Sequence, residues 1–119
     1  MGQKVLINLA TGLEDAERVT VAFLVGGAAA QRGETAVWLT KEAVRLAVPG
    51  YAEAVACEGC PPLPKLLEQF ADSGGKLLVC PICFNARKLD DSALASNATI
   101  AGASPMLEWV GDNATVFSY

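Results

Sequence analysis

The sequence predicts an α/β fold built on a five-stranded, mainly parallel sheet covered on both faces. Three observations predict it. Short apolar runs at residues 4–9, 35–39 and 76–80 are nearly continuous, without the in-and-out alternation of a half-exposed strand. Such runs belong to strands buried on both sides. Helical patterns separate them, and strands that alternate with helices imply parallel pairing. The chain has 119 residues, 52% of them apolar, which is one domain with enough apolar side chains for a core.

The first strand spans residues 4–9, and Thr11-Gly12 turns the chain. Glu14, Asp15 and Glu17 crowd the next helix start, where acids complement the helix dipole. That helix runs over 16–31 and stops at Gly33. It is apolar almost all round, from Val19 through Phe23 and Leu24 to Ala30. A helix without a polar face is covered on more than one side, by the sheet and by another helix or subunit. A small domain has little core in which to hide it. Residues 35–39 form the second strand, and Thr40 caps a short helix over 41–46. Residues 51–60 fit helix and extended chain equally. An amphipathic helix over 63–70 places Leu63, Leu66, Leu67 and Phe70 on one face. The strand at 76–80 follows Gly74-Gly75, and a short helix covers 84–89. Residues 98–101 form the fourth strand, Ser104 caps a helix over 105–110, and 115–119 is the last strand.

Right-handed crossovers put every strand-to-helix loop on one edge, the carboxyl edge, where such sheets bind ligands. Asn8, Thr11, Gly12, Thr40, Cys80 and Cys83 fall there. The helix at 63 feeds the strand at 76, so it too starts at that edge. Cys57 and Cys60 stand just before it, which puts all four cysteines on one side of the domain.

Composition narrows the chemistry. Nine basic and thirteen acidic residues give a net charge of −4, with no Lys/Arg run. Nucleic acid and anionic membranes are therefore not expected partners. No histidine is present, so the usual general base is missing and a metal would need thiolates or carboxylates. The start, Met1-Gly2-Gln3-Lys4, has no signal-peptide pattern, and no apolar run is long enough to span a bilayer. The expected setting is the cytoplasm. There, two C-x-x-C pairs point to metal binding or thiol chemistry rather than to structural disulfides. No phosphate-binding glycine fingerprint occurs.

The densest stretch is Lys76-Leu-Leu-Val-Cys80-Pro-Ile-Cys83-Phe-Asn-Ala-Arg87. Cys80 closes a strand, and Pro81 suits the first turn of a helix. Unpaired N–H groups and the helix dipole then face the Cys80 sulfur and favour its thiolate form. Cys83 lies in the same turn, within reach for a disulfide or a shared metal. A cysteine ending a strand can equally be a small buried hydrophobe. The spacing Cys57-x2-Cys60-x19-Cys80-x2-Cys83 also matches four-cysteine zinc sites. Against zinc, the stretch between the pairs reads as helix and core strand rather than hairpin.

The order of motifs resembles the DsrE/DsrF-like family over essentially the whole chain. The resemblance rests on the Thr11-Gly12 turn, the alanine-rich helix before Gly33, Gly59-Cys60-Pro-Pro, Gly74-Gly75, and Leu-Leu-Val-Cys80-Pro-x-Cys83. It implies one flavodoxin-like, three-layer α/β/α domain over 1–119 that assembles as trimers or hexamers. It also implies that a cysteine matching Cys80 carries sulfur as a persulfide, exchanged with donor and acceptor proteins. Cys57, Cys60 and Cys83 are additions to that pattern. The expected catalytic residues are thus Cys80 and Cys83, with Asn8, Thr11, Gly12, Cys57 and Cys60 in binding roles. No cofactor is expected, with zinc on all four cysteines as the alternative.

Overall fold

The computed structural model describes residues 3–119; Met1 and Gly2, part of the stretch in which no signal peptide is expected, lie outside them. The sheet contains β1 (Val5–Leu9), β2 (Thr35–Leu39), β3 (Lys76–Val79), β4 (Ala98–Ile100) and β5 (Thr115–Ser118). Every pairing is parallel, in the order β4-β3-β2-β1-β5. The crossovers hold α1 (Ala16–Ala30), α2 (Leu63–Asp72), α3 (Pro81–Ala86) and α4 (Ala103–Val110). All five expected strands are present.

The strand order dictates the layers. From β1 to β4 the chain advances in one direction, so right-handed crossovers lay α1, α2 and α3 on one face. The step to β5 reverses direction and puts α4 on the other. Alternation along each strand then divides the core. Val5, Ile7, Leu9, Val37, Leu39, Leu77 and Val79 join the large cluster with Val19, Phe23, Leu63, Leu66, Phe70 and Phe84. Phe23 and Phe70 meet edge to face at 5.7 Å. Leu6, Ala36, Leu78 and Ala101 form the smaller cluster, under Met106, Trp109 and Val110. There the Trp38 indole N–H donates to the Ala101 carbonyl at 3.0 Å.

Asp15 caps α1 by accepting from the Arg18 N–H at 3.0 Å. The helix buries Val19, Ala22, Phe23 and Gly26, but Val21 and Leu24 remain 39% and 45% exposed, so its outer side is apolar too. Among the described residues no helix is long and apolar enough to cross a membrane.

Three local expectations need correction. The segment after β2 is a 3₁₀ helix, Lys41–Ala47, and the Thr40 side chain makes no capping bond. It opens with Lys41 at φ 52°, which breaks the geometry an α-helix start requires. The helix after Cys80 opens at Pro81, as the Cys80-Pro81 pattern implies, but closes at Ala86 instead of running over 84–89. Lys88 N–H bonds the Asn85 carbonyl and Leu89 N–H the Phe84 carbonyl, a Schellman closure with Lys88 at φ 54°. Finally, α4 begins at Ala103, and Gly102 rather than Ser104 is its N-cap residue. The Met106 N–H already reaches the Gly102 carbonyl at 3.1 Å, which draws Ser104 into the first turn.

Candidate functional site

Backbone bonds carry the sheet register past its strand ends. Thr40 N–H donates to the Leu9 carbonyl, Cys80 N–H to Leu39 and Ala101 N–H to Val79, at 3.0, 3.0 and 2.8 Å. The residues just after β1 to β4 therefore stand side by side on the carboxyl edge. Cys80 sits among them, half-buried and a free thiol. It is the N-cap residue of α3, and its carbonyl accepts from the Phe84 N–H at 3.0 Å. No side chain caps that helix among the described residues, so its first-turn N–H groups stay open near Cys80. Cys83, one turn on, is also a free, half-buried thiol. Both flank the large core cluster.

A polar clamp braces this edge, and sequence reasoning missed it. Glu42 accepts from Arg45 Nε at 2.9 Å and from Arg87 Nε, while Arg87 Nη1 donates to the Cys83 carbonyl at 3.1 Å. Arg87 first, and Arg45 second, hold the Glu42 carboxyl below the usual carboxylate range. Glu42 in turn raises Arg87 further. The clamp joins the segment after β2 to α3 and fixes the helix that carries Cys83. Arg87 spaced four residues after Cys83 was the one available signal; nothing in the sequence marks Glu42 as its partner.

Thr11 and Gly12 are buried in the loop after β1. The Leu13 N–H donates to the Tyr51 hydroxyl. Burial, more than any other influence, raises the Tyr51 pKa. Gly12 lies so close to Tyr51 and Glu42 that even a methyl group would collide. It packs closely beneath the clamp. Asn8, half-buried at the end of β1, lines a separate shallow groove with Arg18, Ser118 and Tyr119.

Cys57 and Cys60 are joined by a disulfide, with Cα atoms 5.3 Å apart. The sequence points to metal binding or thiol chemistry rather than a structural disulfide at these pairs, and this bond between Cys57 and Cys60 is not itself among its expectations. Cys57 Sγ lies 3.7 Å from the Thr20 hydroxyl, in the first half of α1. The pair thus stands toward the carboxyl edge, as the topology required, but the four cysteines are not gathered. Among the described residues no group of three or more Cys, His, Asp or Glu side chains is arranged to hold a metal ion. Cys57 and Cys60 are bonded to each other, whereas Cys80 and Cys83 are free thiols.

The model of the DsrE/DsrF-like family matches residues 3–119. The chain belongs to the DsrE/DsrF-like family. Among solved structures, the ychN protein from E. coli superposes with a TM-score of 0.78 at 14% identity, covering 100% of both chains. A protein of unknown function from Methanobacterium thermoautotrophicum, MTH1491, gives a TM-score of 0.72 at 11% identity over 98% of this chain and 99% of its own. At these identities the likeness speaks for the fold. No curated protein matches the sequence.

Proposed function

We propose that this protein is a cytoplasmic sulfur carrier that holds sulfane sulfur as a persulfide on Cys80. The observation that carries this reading is a free, half-exposed thiol at a strand end of a DsrE/DsrF-like domain, beside the uncapped start of α3. The Cys80 thiolate attacks the outer sulfur of a donor persulfide. The donor's S–S bond breaks, the donor departs as a thiolate, and Cys80 keeps the sulfur; nothing is oxidised overall. An acceptor thiolate then removes that outer sulfur and restores Cys80. Cys83 offers a second exit. Its thiolate attacks the inner sulfur, hydrosulfide leaves, and a Cys80–Cys83 disulfide forms, which a dithiol reductant reopens. The cycle runs on side chains alone and calls for no cofactor. A reducing compartment keeps both cysteines as thiols.

Its partners are sulfur donor and acceptor proteins and further copies of itself, as trimers or hexamers. Outward apolar residues support self-association: Leu24 on α1 and Phe117 on β5 line one groove and are 45% and 41% exposed. Glutathione persulfide followed by peptide mass spectrometry tests the carrier reading. The Cys80 peptide should gain one sulfur atom, Cys80→Ser should lose that gain, and Cys83→Ser should keep it. A chain that takes up no sulfur, or takes it up equally without Cys80, would overturn the reading.

A further inference from the structure

We propose that Cys57-Glu58-Gly59-Cys60 is a second, independent redox site, a reversible dithiol/disulfide that exchanges with dithiol partners. The bond joins two residues that the backbone already holds together. Cys60 N–H donates to the Cys57 carbonyl at 3.1 Å, and Gly59 sits at φ 80°, the hydrogen bond and glycine position of a type II turn. The turn sets the two Cα atoms 5.3 Å apart, within the span a disulfide needs. A structural staple has a different design. It links separate elements and closes a long loop, whereas this one closes four residues inside a single turn and removes little freedom from the unfolded chain.

Access and polarity fit exchange. Both cysteines are half-exposed and line an open, mostly apolar groove with Val55, Pro61, Pro62 and Pro64. The two sulfurs are not equivalent. Thr20 is buried and spends its proton on the Ala16 carbonyl at 2.8 Å. Its oxygen therefore faces Cys57 Sγ as an acceptor, at 3.7 Å. In the reduced pair Thr20 receives the Cys57 S–H and holds that residue as thiol, which leaves Cys60 as the exchanging sulfur.

The steps balance. A partner thiolate attacks Cys60 Sγ, the Cys57–Cys60 bond breaks, and its electron pair passes to Cys57 Sγ, which takes up a proton. The partner's second thiolate attacks the mixed disulfide, and Cys60 leaves as thiolate and is protonated. The partner dithiol becomes a disulfide, and two electrons and two protons reach the pair. None of this involves Cys80, so failure of persulfide formation there leaves it untouched.

The test uses the full chain carrying Cys80→Ser and Cys83→Ser. The protein is equilibrated in dithiothreitol buffers of graded reduced-to-oxidised ratio, alkylated and weighed. Two alkyl groups should appear together along one two-electron curve, vanish again in oxidised dithiothreitol, and leave the far-UV circular dichroism unchanged. A bond that resists reduction without denaturant, or whose reduction unfolds the chain, would overturn the proposal. In the same background, Cys57→Ser should trap a mixed disulfide with oxidised glutathione faster than Cys60→Ser. Equal or reversed rates would overturn the assignment of roles. If the double variant does not fold, peptide mapping of the unaltered chain in the same buffers reads the 57–60 pair separately from Cys80 and Cys83.

Discussion

Gly12→Ala tests whether the loop after β1 is locked to the clamp that braces the cysteine edge. A Cβ at Gly12 would lie 2.8 Å from the Tyr51 hydroxyl, 2.9 Å from Glu42 Cβ and 2.9 Å from the Glu42 carbonyl oxygen. Two of these atoms belong to the Glu42 main chain or its first side-chain carbon, so they cannot swing aside. Overpacking of this kind costs about 1–3 kcal/mol. Moving Tyr51 also strips the Leu13 N–H of its acceptor, which adds about 0.5–1.5 kcal/mol. We expect a loss of about 1.5–4.5 kcal/mol from the two together. Urea denaturation should show it as a lower midpoint with an unchanged slope. Gly27→Ala is the control: a Cβ there meets nothing within 4 Å, and inside α1 it should stabilise by about 0.5–1 kcal/mol. If Gly12→Ala matches the control, the loop is not packed against Glu42 and the reasoning fails.

Three other changes probe separate features. Lys88→Gly should stabilise by about 1 kcal/mol, because glycine adopts the left-handed geometry that lysine holds at φ 54°; a loss of stability in the same urea titration would contradict the Schellman reading of α3. Glu42→Gln should cost about 1 kcal/mol at neutral pH, as expected for partly exposed ion pairs. Because the folded-state pKa of Glu42 is lowered, its contribution is present above the unfolded pKa and is lost as pH falls through the folded one; an acid limb identical in parent and variant would count against the clamp. Leu24→Glu should shift the chain toward monomer in light scattering, and a parent that is already monomeric at micromolar concentration would refute self-association through α1.

The fold was largely legible because its signals are local. Continuous apolar runs marked the strands, and Asp15, Pro81 and the paired glycines marked helix and turn boundaries. Strand order was not legible. It depends on which crossovers reverse direction, and no residue announces that β5 returns beside β1. The errors at Thr40 and Ser104 share a cause. A hydroxyl at a plausible cap position is a weak signal when the backbone can start a turn without it, as it does at Gly102.

The cysteines divide along the same line. Cys80 could be placed because position on a strand end follows from local pattern plus crossover handedness. The state of Cys57 and Cys60 could not be, because C-x-x-C spacing suits metal and disulfide alike. What separates the outcomes is where the two pairs sit relative to each other, and that is set by the path of residues 51–62, the stretch with no periodicity to read. There a 3₁₀ turn at Tyr51–Ala54 leads into the Cys57 turn against Thr20, so the first pair lies along α1 while the second opens α3. The Glu42–Arg87 bond spans 45 residues and joins two elements that meet only in the folded domain. Local pattern therefore places each cysteine on the sheet edge, while the folded path alone sets how far apart the two pairs lie.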